Sequence, residues 1–137
     1  MWVFLLANFS DLPEVIPQHY NAYGKADGFG SKSNLFILAG IASLLNIGLS
    51  ILKKYPHRFN YPVEITKENE FRQYAIATRM LRFVKLILVL IFSSLIIKTI
   101  LIAKGGTHEL GFWFLPIALV CLIGSIAYFL ILSFRSK

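Results

Sequence analysis

The stretch NLFILAGIASLLNIGLSIL, residues 34–52, runs for nineteen residues without a charged side chain. An α-helix rises about 1.5 Å per residue and needs about 20 apolar residues to cross the hydrocarbon core of a bilayer. Two later stretches have the same character: residues 86–103, whose single charge is Lys98, and residues 112–134, which carry none. The sequence therefore predicts three full transmembrane helices.

Composition supports the same fold class. The chain has 137 residues, of which 56% are hydrophobic and 15% are charged. A soluble domain of this length could not bury so much apolar side chain. We predict an all-α integral membrane protein, a small helical bundle that forms one membrane domain over residues 1–137.

The first apolar block is shorter than a span. MWVFLLANF, residues 1–9, would form about 14 Å of helix. It lacks the basic start and the small-residue cleavage site of a signal peptide. It is predicted to be a short, half-inserted helix or the outer half of a span that begins upstream. The predicted order is a partial span (1–9), a loop (10–33), a span (34–52), a basic segment (53–82), a span (83–103), a turn (104–111) and a span (112–134).

Basic residues are concentrated between the second and third apolar blocks. Eight of the fourteen lysines and arginines lie there: Lys53, Lys54, Arg58, Lys67, Arg72, Arg79, Arg82 and Lys85. The positive-inside rule places such a segment in the cytoplasm, together with the C-terminus. Residues 10–33 and 104–111 are then extracytoplasmic. The net charge of +7 is explained by this topology, so no nucleic-acid partner is expected.

The basic segment divides into an irregular part and a helical part. Pro56 and Pro62 keep the first part out of helix, whereas Thr66 is a suitable N-cap. We predict one continuous helix from about 66 to 104. Its exposed arginines are predicted to meet lipid headgroups or to dock a cytoplasmic regulator; they are Arg72, Arg79 and Arg82.

Small and polar residues recur along one face of two spans. On the second span they are Ala39, Ser43, Asn46 and Ser50, and on the fourth they are Ala118, Cys121, Ser125 and Tyr128, with Gly124 beside them. Such faces favour close helix packing, within the chain or in a homo-oligomer. Lys98 lies about 9 Å below the level of Lys104, close enough for its side chain to reach the outer interface.

The segment SDLPEVIPQHYNAYGKADGFGSK, residues 10–32, separates the first two apolar blocks. Its prolines stiffen an extended lead-in, and its Asn, Asp and Gly residues favour tight turns. Such a turn could bring His19, Asn21 and Asp27 together, either to brace the loop or to bind a peptide, a lipid headgroup or a cation. One histidine and one carboxylate are few ligands for a metal, so no metal or other cofactor is expected.

The same segment resembles a known family signature. Its pattern P-x-x-I-P-x-H-x-N-x-x-G-x-x-D fixes Pro13, Pro17, His19, Asn21, Gly24 and Asp27. It resembles a bacterial membrane-protein family of unknown function that is related to the N-terminal domain of SdpI-type toxin-immunity proteins. The downstream stretch FNYPVEITKENEFRQYAIATRMLRFVK is similar to single-domain members of that family. The resemblance implies a multi-pass inner-membrane protein with the motif loop outside, and a role in protection against a secreted peptide toxin.

Three classes of function are open at this stage. The first is a non-enzymatic protein of immunity or sensing type that recognises a peptide toxin or an envelope component through the outer loop. The second is a metal-dependent or enzymatic protein that uses His19 and Asp27 at the outer surface, with His108 and Glu109 as further candidates. The third is a small oligomeric transporter subunit. The apolar blocks 34–52, 86–103 and 112–134 carry no charge other than Lys98, which argues against transport, and no catalytic residue is assigned.

Overall fold

The computed structural model describes residues 1–106 and 109–136. The elements are α1 (Trp2–Asn8), β1 (Val15–Tyr20), β2 (Ala26–Ser31), α2 (Asn34–Leu52), α3 (Glu70–Ala103) and α4 (Phe114–Arg135), with short 3-10 helices at Phe9–Asp11 and Pro56–Arg58. Helices α2, α3 and α4 are long and apolar enough to cross a membrane. The prediction of three apolar helices of spanning length, preceded by a short N-terminal helix, is confirmed.

The surfaces of these helices are apolar. Leu44, Val120 and Ile123 are 70%, 72% and 61% exposed, and many other large hydrophobic side chains are exposed with them. In water such a surface would drive aggregation, whereas in a bilayer it contacts lipid chains. The chain therefore has the features of a multi-pass membrane protein.

Helix α3 is the centre of the bundle. Both α2 and α4 pack mainly against it, and α1 lies against it beside α2. Leu5 of α1 is fully buried among Ala39 of α2 and Ile96 and Ile100 of α3. The indole N–H of Trp2 donates to the Ser43 hydroxyl at 2.9 Å, which fixes α1 along α2.

We define the hairpin end of the bundle as the end where β1 and β2 meet the start of α2, the end of α3 and the start of α4. The basic end is the opposite one, where residues 53–69 connect α2 to α3. Leu12 and Ile16 of the hairpin end join the core around Leu5. The buried hydrophobic cluster therefore joins α1, α2 and α3 to the hairpin end.

The chain is mostly helical, as predicted, but it is not all-α, because residues 15–31 form a small two-stranded antiparallel hairpin. Val15 pairs with Ser31 and Tyr20 with Ala26, and the register shifts around His19. Proline lacks an N–H and glycine weakens strands, so Pro17, Gly28 and Gly30 masked the strand pattern. The burial of Ile16 and Pro17 on the bundle explains why the strand nevertheless forms.

Helix α3 begins later than predicted, at Glu70 rather than near residue 66. The Thr66 N–H donates to the side-chain oxygen of Asn69 at 2.9 Å, and the Asn69 amide donates to the Glu64 carbonyl at 3.0 Å. Asn69 thereby stabilises a turn in which Thr66 lies outside the helix. The end of α3 at Ala103 agrees with the predicted end near 104.

Gln73, one turn into α3, is fully buried and joins α3 to the end of α4. Its amide nitrogen donates to the carbonyl oxygens of Ser133 and Ser136, each at 3.0 Å. The Ser133 hydroxyl donates to the Gln73 amide oxygen at 2.5 Å. Carbonyls in the last turn of a helix lack intrahelical partners, so Gln73 supplies the donors that the end of α4 needs.

The small and polar face predicted on α2 contacts neighbouring helices. Ala39 is fully buried, Ser43 accepts from Trp2, and Ser50 accepts from the Lys85 ammonium at 3.1 Å. The corresponding face of α4 is different, because Cys121 and Gly124 are exposed. Packing within the chain is therefore confirmed for α2 and not for these two residues of α4, whereas packing of α4 in a homo-oligomer stays a prediction.

Candidate functional site

A cleft of about 610 Å³ lies beneath the hairpin, between α2, α3 and α4. Cavities of about 300–1,000 Å³ are typical of small-molecule sites. The helices contribute mainly apolar side chains, which are Leu35, Ile37, Leu38, Ile41, Ile91, Leu95, Phe114, Leu115 and Ala118. The polar groups lie at the hairpin end, and they are Gln18, His19, Tyr20, Asn21, Asn34 and Thr99.

His19 and Asp27 form a pair on the two strands of the hairpin. The His19 Nδ1 and the Asp27 Oδ1 are 2.5 Å apart, and the two side chains are 74% and 42% exposed. Gly28 lies opposite His19 in the sheet, and a Cβ at Gly28 would come within 2.9 Å of the His19 Cβ. Since Nδ1 contacts the carboxylate, Nε2 is the ring nitrogen that Asp27 does not engage.

Asn21 organises the hairpin turn. Its side-chain oxygen accepts hydrogen bonds from the backbone N–H groups of Tyr23 at 2.9 Å and Lys25 at 3.1 Å. This arrangement is an Asx turn, in which the side chain replaces a backbone acceptor. Of the three polar motif residues, the structure thus brings His19 and Asp27 into contact and gives Asn21 a bracing role.

Gly24 is the point at which the hairpin meets the connection between α3 and α4. Its φ of +78° is in the left-handed region, and its carbonyl accepts from the Leu110 N–H at 2.8 Å. A Cβ at this position would lie 2.8 Å from the Gly111 carbonyl oxygen. A salt bridge of 3.6 Å between Lys25 and Glu109 adds to the contact.

The two motif prolines have different environments. Pro17 is buried in β1 and lines the cleft, where its ring contributes apolar surface. Pro13 is exposed and lies two residues before β1 begins. Its fixed φ favours the extended backbone that leads into the strand.

Further contacts anchor the hairpin end to the helices. The hydroxyls of Tyr20 and Thr99 are 2.9 Å apart, and the Lys104 ammonium lies 3.2 Å from the Asp11 carboxylate. The hydrogen bond from Lys104 holds the pKa of Asp11 below its usual value, whereas burial raises the pKa of Tyr20. Sequence reasoning missed these residues, because their partners are 79 and 93 positions apart in the chain and no local pattern marks them.

Lys98 reaches towards the hairpin end, as its sequence position predicts. Its ammonium donates to the Leu110 carbonyl at 3.0 Å, and its side chain is exposed at the edge of α3. Leu110 itself lines the cleft. The single charge of the apolar block 86–103 is therefore bonded to a residue that lines the cleft.

The metal alternative gains no support from the geometry. Within residues 1–106 and 109–136, no group of three or more His, Cys, Asp and Glu side chains could hold a metal ion. Glu109 is paired with Lys25, away from the His19–Asp27 pair. His108 lies outside the described residues.

The predicted basic partner surface lies at the other end of the bundle. Arg72, Arg79 and Arg82 are all exposed on the first half of α3. In the part of the chain that the structure describes, none of the three forms a salt bridge. They are therefore separate from the cleft and are placed where lipid headgroups or a partner could reach them.

Comparison with known proteins gives a match to the N-terminal part of the chain, which includes the hairpin above the cleft. Residues 1–42 match the family model of a domain of unknown function, DUF1648. This domain is found in SdpI-like proteins. The DUF1648 match covers α1, the hairpin and the first half of α2.

An uncharacterized protein of Archaeoglobus fulgidus is 31% identical to the chain over 70 residues. The alignment covers 45% of this chain and 38% of the archaeal protein, so the chain spans well under half of that relative's length. No solved structure matches the chain.

Proposed function

We propose that this protein is a non-enzymatic, multi-pass bacterial inner-membrane protein of immunity or sensing type. It binds an amphipathic ligand, a peptide toxin or a component of the envelope, in the cleft beneath the hairpin. The observation that carries the proposal is the cleft itself, which is apolar between the helices and polar at the hairpin end. A molecule with one apolar and one polar part fits that distribution.

The arrangement of the hairpin supports recognition at this site. Asn21 and Gly24 hold the turn against the helices, so the His19–Asp27 pair is presented on a fixed framework. A rigid framework reduces the entropy that is lost when a ligand binds. The DUF1648 match in residues 1–42, a domain found in SdpI-like proteins, is consistent with an immunity role.

The test is protection of toxin-sensitive cells. We expect expression of the unaltered chain to raise the dose of secreted peptide toxin that the cells survive, and we expect Ala118→Trp to abolish that effect because indole fills the cleft. The double variant His19→Gln, Asp27→Asn is expected to reduce protection about tenfold, since charge-assisted hydrogen bonds contribute about 1.5–3 kcal/mol. Protein levels in the membrane fraction are measured in parallel.

Ala127→Trp is the matched control, because Ala127 is exposed on α4 and does not line the cleft. It should protect as well as the unaltered chain does. Failure of the unaltered chain to protect would refute the immunity role. Equal protection by the Ala118 and Ala127 variants would show that the cleft is not the binding site.

The proposed orientation places the hairpin end outside the cell and the basic end in the cytoplasm. In a Cys121→Ser background, a thiol introduced as Ala22→Cys is expected to react with a membrane-impermeant maleimide in intact cells. The same reagent should modify Asn60→Cys only after the cells are lysed. Both positions are exposed, so the comparison reports their side of the membrane. The reverse pattern would overturn the orientation.

A further inference from the structure

At the hairpin end, each described carboxylate pairs with a lysine or with His19. The salt bridges are His19–Asp27, Lys25–Glu109, Lys32–Glu14 and Lys104–Asp11. Among the described residues, Lys98 is the lysine of this end that has no carboxylate within 4.0 Å. Its ammonium donates instead to the neutral carbonyl of Leu110 at 3.0 Å. Lys98 is therefore the lysine of this end that is left to pair with an anion.

Lys98 is well placed to act on the cleft. Its neighbours on α3, Leu95 and Thr99, both line the cleft, and so does Leu110, whose carbonyl receives the ammonium. A lysine within an apolar span is costly unless it pairs or reaches the interface. An anionic group at the rim of the cleft would provide the missing partner.

The cleft is accessible from the side, through the region that faces lipid. Ile37 and Ile41 of α2 are 62% and 45% exposed, and Leu115 of α4 is 47% exposed, although all three line the cleft. Ile91 of α3 forms part of the inner wall. A hydrocarbon chain can therefore enter between α2 and α4 directly from the bilayer.

We propose that the cleft binds one anionic membrane phospholipid. Its acyl chain lies along Ile41, Ile91 and Leu95, and its phosphate accepts a hydrogen bond from the Lys98 ammonium. The inference rests on the proposed function and names the ligand class as an envelope lipid. Charge complementarity carries the choice of head group, because Lys98, the described lysine of the hairpin end without a carboxylate partner, donates to Leu110, which lines the polar end of the cleft.

Native mass spectrometry of the full chain in detergent tests the proposal, with phosphatidylglycerol and phosphatidylcholine as the lipid probes. We expect one phosphatidylglycerol to be retained per chain, and phosphatidylcholine to be retained more weakly. Lys98→Gln is expected to weaken phosphatidylglycerol retention about tenfold, the change that corresponds to one charge-assisted hydrogen bond. Ala118→Trp is expected to weaken the retention of both lipids, because the indole fills the cleft.

Lys53→Gln and Ala127→Trp are the matched controls, the first at the basic end of α2 and the second on the exposed side of α4. Neither variant should change the retention of phosphatidylglycerol. Thermal unfolding identifies any variant that has simply lost its fold. Equal retention of the two lipids, or an unchanged affinity in Lys98→Gln, would overturn the proposal.

The outcome of the lipid-retention experiment can be distinguished from the outcome of the toxin-protection experiment. If Ala118→Trp abolishes toxin protection but phosphatidylglycerol shows no preference, the cleft is the functional site and the ligand class is wrong. If phosphatidylglycerol binds through Lys98 but the chain protects no cells, the lipid site stands and the immunity role fails.

Discussion

Replacing Gly24 with alanine is expected to lower the free energy of unfolding by about 2–4 kcal/mol. The left-handed backbone of Gly24 costs a residue with a Cβ about 1–2 kcal/mol. The new Cβ would also lie 2.8 Å from the Gly111 carbonyl oxygen, so the two backbones must separate. Separation lengthens the hydrogen bond from Leu110 to Gly24, whose loss costs about 1–2 kcal/mol more.

Unfolding of the purified protein in detergent, followed by circular dichroism, measures this effect. Gly40→Ala is the matched control, because Gly40 lies inside α2 and a Cβ there would have nothing within 4 Å. Alanine at that position should leave stability unchanged or raise it by up to about 1 kcal/mol. Equal stability of the Gly24 variant and the unaltered protein would contradict the close contact between the hairpin and the α3–α4 connection.

Gln73→Leu is the second large expected effect, a loss of about 3 kcal/mol. Leucine is close to glutamine in size, so little packing is lost. The substitution instead leaves the Ser133 hydroxyl and the Ser136 carbonyl without the amide that now bonds them, whereas the Ser133 carbonyl keeps the bond from the Ser136 N–H. Each buried polar group that loses its partner costs about 1–3 kcal/mol, and partial access of water at Ser136 reduces the total.

A glutamine-to-leucine substitution at an exposed site serves as the control for Gln73→Leu. The Gln18 side chain donates to the Ser31 carbonyl at 2.9 Å in an exposed position, so Gln18→Leu should cost less than about 1 kcal/mol. Ser133→Ala removes only the hydroxyl partner and should give an intermediate loss. Additive losses in the Gln73→Leu, Ser133→Ala double variant would show that the two side chains do not act together.

The membrane helices were predictable because the bilayer imposes a strict length and polarity on each span. Residues 34–52 in the sequence correspond to α2 without a shift at either end. The start of α3 was not predictable in this way, because it lies outside the apolar block. There the hydrogen bonds of the Asn69 side chain place Thr66 in a turn before the helix, although both Asn and Thr are N-cap residues by type.

The candidate site was predictable only in part. The turn-forming residues between His19 and Asp27 suggested that these side chains meet, and the structure places them in contact. The cleft beneath them depends on how α2 and α4 are arranged around α3, which no local pattern encodes. The strand character of residues 15–20 was hidden for a related reason, because it depends on the burial of Ile16 against the helices.

Helices α2 and α4 are each attached chiefly to α3, and this arrangement has a mechanical consequence. The pairs α2–α3 and α3–α4 make extensive contacts, whereas α2 and α4 make few or none with each other. Gln73 fixes the last turn of α4 to α3, and the hydrogen bond from Leu110 to Gly24 fixes the segment before α4 to the hairpin. The spacing between α2 and α4 is thus set by two independent interfaces on one shared helix, with α4 fastened near both of its ends.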